Sequence, residues 1–391
     1  MAYSIKAVSS IREIGQSDWD SAANPYLIDP DCGIPFDPFL SYHFLLALEE
    51  SGSAAAETGW APYHLALEDD GKTLGLVPMY LKSHSQGEYV FDYNWADAFQ
   101  RAGGRYYPKL QISVPFTPAT GRRILTANSS KSDEHTEYLI SGVMQVAKKL
   151  EVSSVHATFA TREQYDQLGK LGFLQRTHQQ FHWLNDGYTC FEDFLAALSA
   201  KKRKNIRRER RGANENGIEI ERLTGSDIEE QHWDAFYQFY TDTGNRKWGT
   251  PYLTRAFFSM VGETMADNIL LVMCKREGRY VAGAINFIGS DCLFGRNWGC
   301  IEHHPFLHFE VCYYQAIEFA IERGLKRVEA GAQGTHKLAR GYLATHTYSA
   351  HWIVNESFSE AVRHFLDQER AYIDEEIDYM EAHSPFKKTH S

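Results

Sequence analysis

Two distant stretches of the chain follow one plan. Residues 63–82, YHLALEDDGKTLGLVPMYLK, and residues 268–289, NILLVMCKREGRYVAGAINFIG, each read as apolar strand, charged turn with a glycine, apolar strand. Each is followed by the pattern F-x-x-N-W, in FDYNW from Phe91 and FGRNW from Phe294. Each then leads to helical spacing, in HTEYLISGVMQVAKKL and FEVCYYQAIEFAIERGL, and on to a strand, SSVHATFA or KRVEAGAQG. A repeated order of elements constrains the chain to a duplicated α/β domain. Its 391 residues also exceed one ordinary core. The cut falls near residues 185–215, giving domains 1–188 and 189–391, the second opening with a basic linker helix.

Composition narrows the function. Formal net charge is −11, so the chain is no general coat for nucleic acid, and any such role needs a local patch. The opening MAYSIKAVSSIREIG has no apolar run behind basic residues, and no stretch of about 18 apolar residues occurs, so neither a signal peptide nor a membrane span is expected. The six cysteines include no CxxC pair and read as reduced thiols of a cytoplasmic protein. CIEHHPFLHFE gathers Glu302, His303, His304, His308 and Glu310, but no HExxH spacing appears, so no metal site is expected.

Two segments carry concentrated chemistry. EAGAQGTHKLARGY, residues 329–342, threads Glu329, Gln333, His336, Lys337 and Arg340 among three glycines. As a strand over 328–333, Glu329 and Gln333 share a face, with Gly331 leaving a gap between them. A helix starting near Thr335 brings His336 and Arg340 together at i, i+4. Glu329 and His336 are then base candidates, and Lys337 and Arg340 anion clamps; the alternative is a salt-bridged corner locking strand to helix. Within LFGRNWG, strand alternation sets Asn297 on one face with Gly295 and Gly299, and Arg296 and Trp298 on the other. Arg296, Asn297, Trp298, Gln333, Arg340 and Tyr342 are the substrate-binding candidates. His351 is either a site member or a packed histidine.

The second segment is SAKKRKNIRRERRG, a helix capped at Ser199 and ended by Gly212. It is either a solvated linker or an anion site for the phosphates of CoA, tRNA or a lipid-linked precursor, with Arg207 and Arg208 as contacts.

Taken together, VPFTPATGRRIL, KKRKNIRRERR, FGRNWG, LHFEVCYYQAIEFAIERGL and EAGAQGTHKLARGY resemble the FemAB-like, or peptidoglycan biosynthesis/recognition, proteins of the GNAT acyltransferase superfamily. The resemblance implies an α/β fold of two tandem GNAT-like domains, with mixed, mostly antiparallel sheets flanked by helices. It implies transfer of an acyl or aminoacyl group to an amine. The cosubstrate would be acyl-CoA or aminoacyl-tRNA, with no tightly bound cofactor, and a cell-wall precursor is among the candidate acceptors. Through it, Glu329, His336 and Lys337 become the catalytic candidates, Lys337 matching a lysine that contacts substrate phosphate in Fem-type enzymes. The GNAT pyrophosphate loop corresponds to TPATGRRI, which departs from the usual Q/R-x-x-G-x-G/A; Thr120, Gly121, Arg122 and Arg123 are its candidate donor-phosphate contacts. Residues 201–211 are the candidate tRNA surface. The competing readings are a GNAT-shaped module that only recognises a wall precursor, and an RNA-associated protein.

Overall fold

The computed structural model describes residues 3–127, 129–215, 217–247, 251–331 and 334–387. In chain order the first stretch forms β1 (Ser4–Val8), α1 (Gln16–Ala23), α2 (Tyr42–Glu50), β2 (Trp60–Pro62), β3 (His64–Asp69), β4 (Lys72–Val77), β5 (Met79–Lys82) and α3 (Tyr93–Arg101). It continues with β6 (Lys109–Ile112), β7 (Leu125–Thr126), α4 (Ser132–Lys149), β8 (Ser154–Ala160), α5 (Arg162–Lys170) and β9 (Leu174–Leu184). There follow α6 (Phe191–Ala197), α7 (Ala200–Ala213), β10 (Ile218–Leu223), α8 (Glu230–Lys247), α9 (Arg255–Met265), β11 (Ile269–Arg276), β12 (Arg279–Ile288) and β13 (Cys292–Cys300). The last elements are α10 (Leu307–Phe309), α11 (Gln315–Glu322), β14 (Arg327–Glu329), β15 (Leu343–Ile353) and α12 (Glu356–Ala382).

Both glycine turns are tight hairpins. Asp70 and Gly71 (φ 51° and 78°) join β3 to β4, and Glu277 and Gly278 (φ 54° and 75°) join β11 to β12. Two consecutive left-handed residues make the type I′ turn whose twist matches the strands it joins.

The chain forms two compact units. One is 1–178 with 346–375, the other 179–345 with 376–391. This division differs from a single cut at 188/189, and strand pairing shows why. In the first unit β5 is antiparallel to β6, β6 is parallel to β8, and β8 is antiparallel to β15. In the second, β12 is antiparallel to β13, β13 is parallel to β14, and β14 is antiparallel to β9. The plan is duplicated, but each sheet is closed by a strand from the other half of the sequence.

Local pattern explains the layers. In the first unit Leu110, Ile112, Val155 and Ala157 bury one sheet face against Leu139 and Val143 of α4 and Leu168 of α5. In the second, Ile269 to Cys274 are fully buried, as are Phe236 of α8 and Phe258 of α9. The F-x-x-N-W match is not a structural equivalence. Phe294 to Trp298 lie on β13, whereas Asn94 and Trp95 lie in α3. The cause is local packing: Trp95 and Ala96 are buried with Phe99 packed beside them, a helical spacing.

The opposite sheet face of the first unit buries charge. Lys82 and Lys109 are cross-strand neighbours, both fully buried. Lys109 Nζ donates to Glu88 Oε2 at 2.7 Å, Asp92 Oδ2 at 2.5 Å and Ser85 Oγ at 2.8 Å. Lys82 lies over Trp60 at 3.6 Å and is 3.8 Å from Glu88. Burial pushes Lys82 down to about 7 and Glu88 up to about 7. Lys109 therefore carries most of the compensation for two buried carboxylates. Lys109→Met should lower unfolding free energy by about 3–5 kcal/mol, because it strands buried carboxylates. Lys82→Met should cost less; urea titration of both variants checks the order.

Candidate functional site

β13 and β14 pair over three residues only, Cys292↔Arg327, Leu293↔Val328 and Phe294↔Glu329. Beyond them, two irregularities part the strands. On β13 the register with β12 slips, pairing Asn286 with Gly295 and Ile285 with Asn297, so Arg296 is a bulge. That interrupts the alternation expected from Phe294 to Trp298; bulges often flank functional sites. On the other side β14 stops at Glu329, and Gly331 takes φ 77°. The strand expected to reach residue 333 thus ends early, and Gln333 lies outside the described residues. Residues 335–340 form a 3-10 helix, and Gly334 (φ 113°) precedes it. A Cβ at Gly334 would meet His336 Cε1 at 2.4 Å, so glycine there makes room for the imidazole.

The amphipathic helix read from residue 309 is also interrupted. Glu310–Tyr314 form a π-turn between α10 and α11. Such turns cluster at functional sites because they redirect side chains. Here Tyr313 Oη lies 2.9 Å from His336 Nε2, and Tyr314 donates to Glu209 of α7. Trp298 and Tyr313 flank His308, with ring centroids at 5.5 and 5.4 Å, and Phe309 lies 5.7 Å from His336.

The three catalytic candidates fall beside this junction. Lys337 is buried, and its Nζ donates to Gly331 O at 2.9 Å. Burial pushes its ammonium down to about 8. His336 is exposed; partial burial, then the charges of Arg340 and Lys337, lower its imidazole below the ordinary value. Glu329 is 3% exposed. Its Oε1 accepts from Arg327 Nε at 3.3 Å. Its Oε2 has no hydrogen-bond partner among the described residues and lies 3.9 Å from His182 Nε2. Glu329 and Lys337 both act on the His182 imidazole, which burial holds below its usual value.

Other candidates are placed differently. Arg340 is engaged on every side. Nε and NH2 donate to Glu209 at 3.1 and 2.9 Å, NH1 donates to His336 O at 2.7 Å, and the guanidinium lies 3.4 Å from the Phe309 ring centroid. It is the salt-bridged corner, not an anion clamp. Tyr342 is fully buried, its hydroxyl donating to Tyr313 O at 3.3 Å. Asn297, Arg296 and Trp298 are half-buried on β13. His351 is packed in the first unit, its Nδ1 2.7 Å from that of His156.

The expected donor loop of the first unit is bonded shut. Arg122 donates to the carbonyls of Ala22 and Thr126, and Arg123 to those of Thr158 and Ala119. Gly121 N–H donates to Phe159 O at 3.0 Å. Thr120 Oγ1 is buried without a partner among the described residues. β6 and β8 also pair over three residues, but the loop zips the opening beyond them. The guanidinia are consumed by backbone carbonyls and are not free for phosphate. Arg207 pairs with Glu192 at 2.5 Å, and Arg208 is exposed on α7.

The sequence reading missed His182, Glu209 and Tyr313. The signal for Glu209 was present: it is the single acid in a basic run, and Ile206, Glu209 and Ala213 form the buried stripe of α7. Arg210 follows it inward, donating to both oxygens of buried Glu310 and to Glu318. Among the described residues, no group of three or more metal-ligating side chains comes together, and no helix is long and apolar enough to cross a membrane.

The family model for FemAB-like peptidoglycan biosynthesis/recognition matches residues 10–388. The chain belongs to the FemAB-like family. No curated protein matches this FemAB-like chain in sequence. Its fold is that of tandem GNAT-like domains, with mixed, mostly antiparallel sheets. Solved structures share that fold. FemX is 11% identical with TM-score 0.54, over 92% of this chain and all of FemX. L-PGS from Bacillus licheniformis is 11% identical with TM-score 0.50, over 85% and 98%. A protein of unknown function from Bacteroides thetaiotaomicron is 12% identical with TM-score 0.52, over 90% and 100%.

Removing Glu209 tests the corner that the site rests on. Glu209→Leu strands a buried guanidinium and should cost about 3–5 kcal/mol. Removing Arg207, whose pair is exposed, should leave the urea midpoint unchanged.

Proposed function

We propose that this FemAB-like protein is an N-acyltransferase or aminoacyltransferase working where β13 and β14 part. One observation carries the reading: Lys337, buried and lowered to about 8, adjoins the His336 imidazole, and both Lys337 and Glu329, one of whose oxygens has no partner among the described residues, act on His182 at the end of a parallel strand pair. Buried titratable groups with shifted pKa, gathered at one junction, mark functional sites.

The reaction joins an activated carbonyl, R–CO–X, to an amine. The amine nitrogen attacks the carbonyl carbon, the C–X bond breaks, and the products are an amide and HX. X is the thiolate of an acyl-CoA or the ribose hydroxyl of an aminoacyl-tRNA. His336, neutral at pH 7, accepts the proton that the attacking amine sheds. Tyr313, whose hydroxyl burial keeps protonated, holds that imidazole in place. Lys337 faces the negative charge that develops on the carbonyl oxygen. Glu329 Oε2 accepts an N–H hydrogen bond from the neutral amine and orients it, and the His336 imidazolium returns its proton to X as the C–X bond breaks, so that HX leaves. No covalent enzyme intermediate is required. The first unit, whose opening is bonded shut, serves recognition, with a cell-wall precursor as the acceptor class that the family description supports.

The test is mass spectrometry of amide product with acyl-CoA and aminoacyl-tRNA donors against wall-precursor amines. Lys337→Met should lower kcat/KM by about 10²–10³-fold, as loss of an oxyanion donor does. Its melting temperature should not fall: a lysine with a lowered folded pKa stabilises only as pH rises above about 8, so at pH 7 it contributes nothing to remove. Near-normal turnover in Lys337→Met would move the site elsewhere.

The pH profile adds an independent check. Lys337 is cationic below about 8 and loses its charge above it. The wild-type kcat/KM should therefore fall above pH 8 relative to Lys337→Arg, whose guanidinium does not titrate in that range. A constant ratio from pH 6 to 10 would contradict the role.

A further inference from the structure

Amide formation at the β13–β14 junction leaves one proton without an acceptor. Near pH 7 a primary amine arrives as its ammonium, R–NH3+, since a lysine-type amine titrates at about 10.4. An ammonium has no lone pair with which to attack. His336 takes the proton shed after the C–N bond forms, so a different group must take the proton lost before it.

Two side chains face each other at the right place. Glu329 on β14 and His182 on β9 stand directly opposite in an antiparallel pair, so both leave the sheet on one face. Each is more than nine-tenths buried. Glu329 Oε2 lies 3.9 Å from His182 Nε2, too far for a hydrogen bond, and has no hydrogen-bond partner among the described residues. A buried carboxylate oxygen in that condition calls for a donor. One nitrogen about 2.9 Å from each atom fits the gap and offers an N–H to both. The other carboxylate oxygen is held in place: Arg327 Nε donates to Oε1 at 3.3 Å, and Arg327 NH1 donates to Asp291 at 2.9 Å. His182 Nε2 also lies 3.3 Å from Gln180 Oε1, a long contact that an entering N–H replaces.

The surroundings suit a base that takes a proton and gives it up again. Burial first, and then Arg327 on β14 and Lys337 on the 3-10 helix, lower the His182 imidazole, against Glu329, which raises it. The ring is therefore neutral near pH 7. An ammonium entering the junction meets the kind of desolvation that pulls Lys337 down to about 8. We propose, on the transfer reading of this junction, that His182 is the base that converts the acceptor ammonium into the attacking amine, while Glu329 holds the nitrogen beside it. The step balances: R–NH3+ and neutral His182 give R–NH2 and the His182 imidazolium. The freed lone pair attacks the carbonyl carbon, His336 carries the second proton to X, and His182 releases the first to solvent.

The test compares amide formed from ethylamine, an ammonium near pH 7, with amide formed from 2,2,2-trifluoroethylamine, largely neutral there, using acyl-CoA and aminoacyl-tRNA donors. His182→Gln should lower kcat/KM by about 10²–10³-fold for ethylamine, as loss of a general base does, and by less than about threefold for trifluoroethylamine. Between about pH 6.5 and 7.5, wild-type kcat/KM for total ethylamine, or for a wall-precursor amine where that is the better acceptor, should stay level, whereas His182→Gln should gain about tenfold as free amine forms. Equal losses for the two amines would give His182 a structural role and overturn the proposal. A wild-type gain of about tenfold across that range would overturn it without any variant, because the enzyme then takes only free amine. Wild type that forms no amide from ethylamine, trifluoroethylamine or wall-precursor amines would remove the transfer reading itself, and the role of His182 with it.

Discussion

The structure depends on how far two parallel strands stay paired. Parallel strands joined through a helix pair over three residues in each unit and then diverge. Divergence exposes backbone and side chains in a protein interior, and each exposed polar group then needs a partner. The two units meet that demand in opposite ways. In the first, the loop after β6 returns to the sheet, Gly121 bonds to Phe159, and Arg122 and Arg123 spend their donors on carbonyls. In the second, a bulge, two glycines and a π-turn hold the strands apart, and the opening is lined with titratable groups instead. One repeated plan is thus closed in two different ways.

Charge is what each unit buries at its centre. In the first, Lys109 and Lys82 face Glu88 and Asp92, and one oxygen of each carboxylate has no hydrogen-bond partner among the described residues. In the second, Arg340 and Glu209 are compensated, but Lys337 meets only a carbonyl, and one oxygen of Glu329 has no partner among the described residues. A compensated pair fixes geometry, and an uncompensated group is poised to act on something else. The inner face of the basic helix, through Glu209, sets the corner that holds Arg340.

Much of the fold was legible because it rests on local pattern. Strand–turn–strand units with Asp-Gly and Glu-Gly turns, and helices with clean apolar spacing, were read where they stand. The exchange of β9 and β15 was not legible, since both strands look alike to pattern and only long-range pairing chooses between them. The F-x-x-N-W match misled for the opposite reason: helical packing of Trp95, Ala96 and Phe99 prevails in one copy, and pairing with β12 makes a strand in the other. At the candidate site, spacing and the family resemblance singled out His336, Lys337 and Glu329, and the structure sets all three near the end of β14. For Arg340 the sequence left clamp and salt-bridged corner open, because its partner, Glu209, lies 131 residues away. His182 and Tyr313 were missed for the same reason, since each acts through a neighbour that only the folded sheet supplies.

The proposed transfer needs Lys337 to be a buried cation with a lowered pKa at the parted strands. The most direct measurement is a pH titration of lysine side-chain nitrogens by NMR in protein selectively labelled at lysine, with Lys337→Met providing the assignment. The Lys337 signal should change with a midpoint near pH 8, set apart from the exposed lysines, whose usual value is about 10.4. A Lys337 midpoint among those of the exposed lysines would show a solvated surface group and contradict the site as drawn.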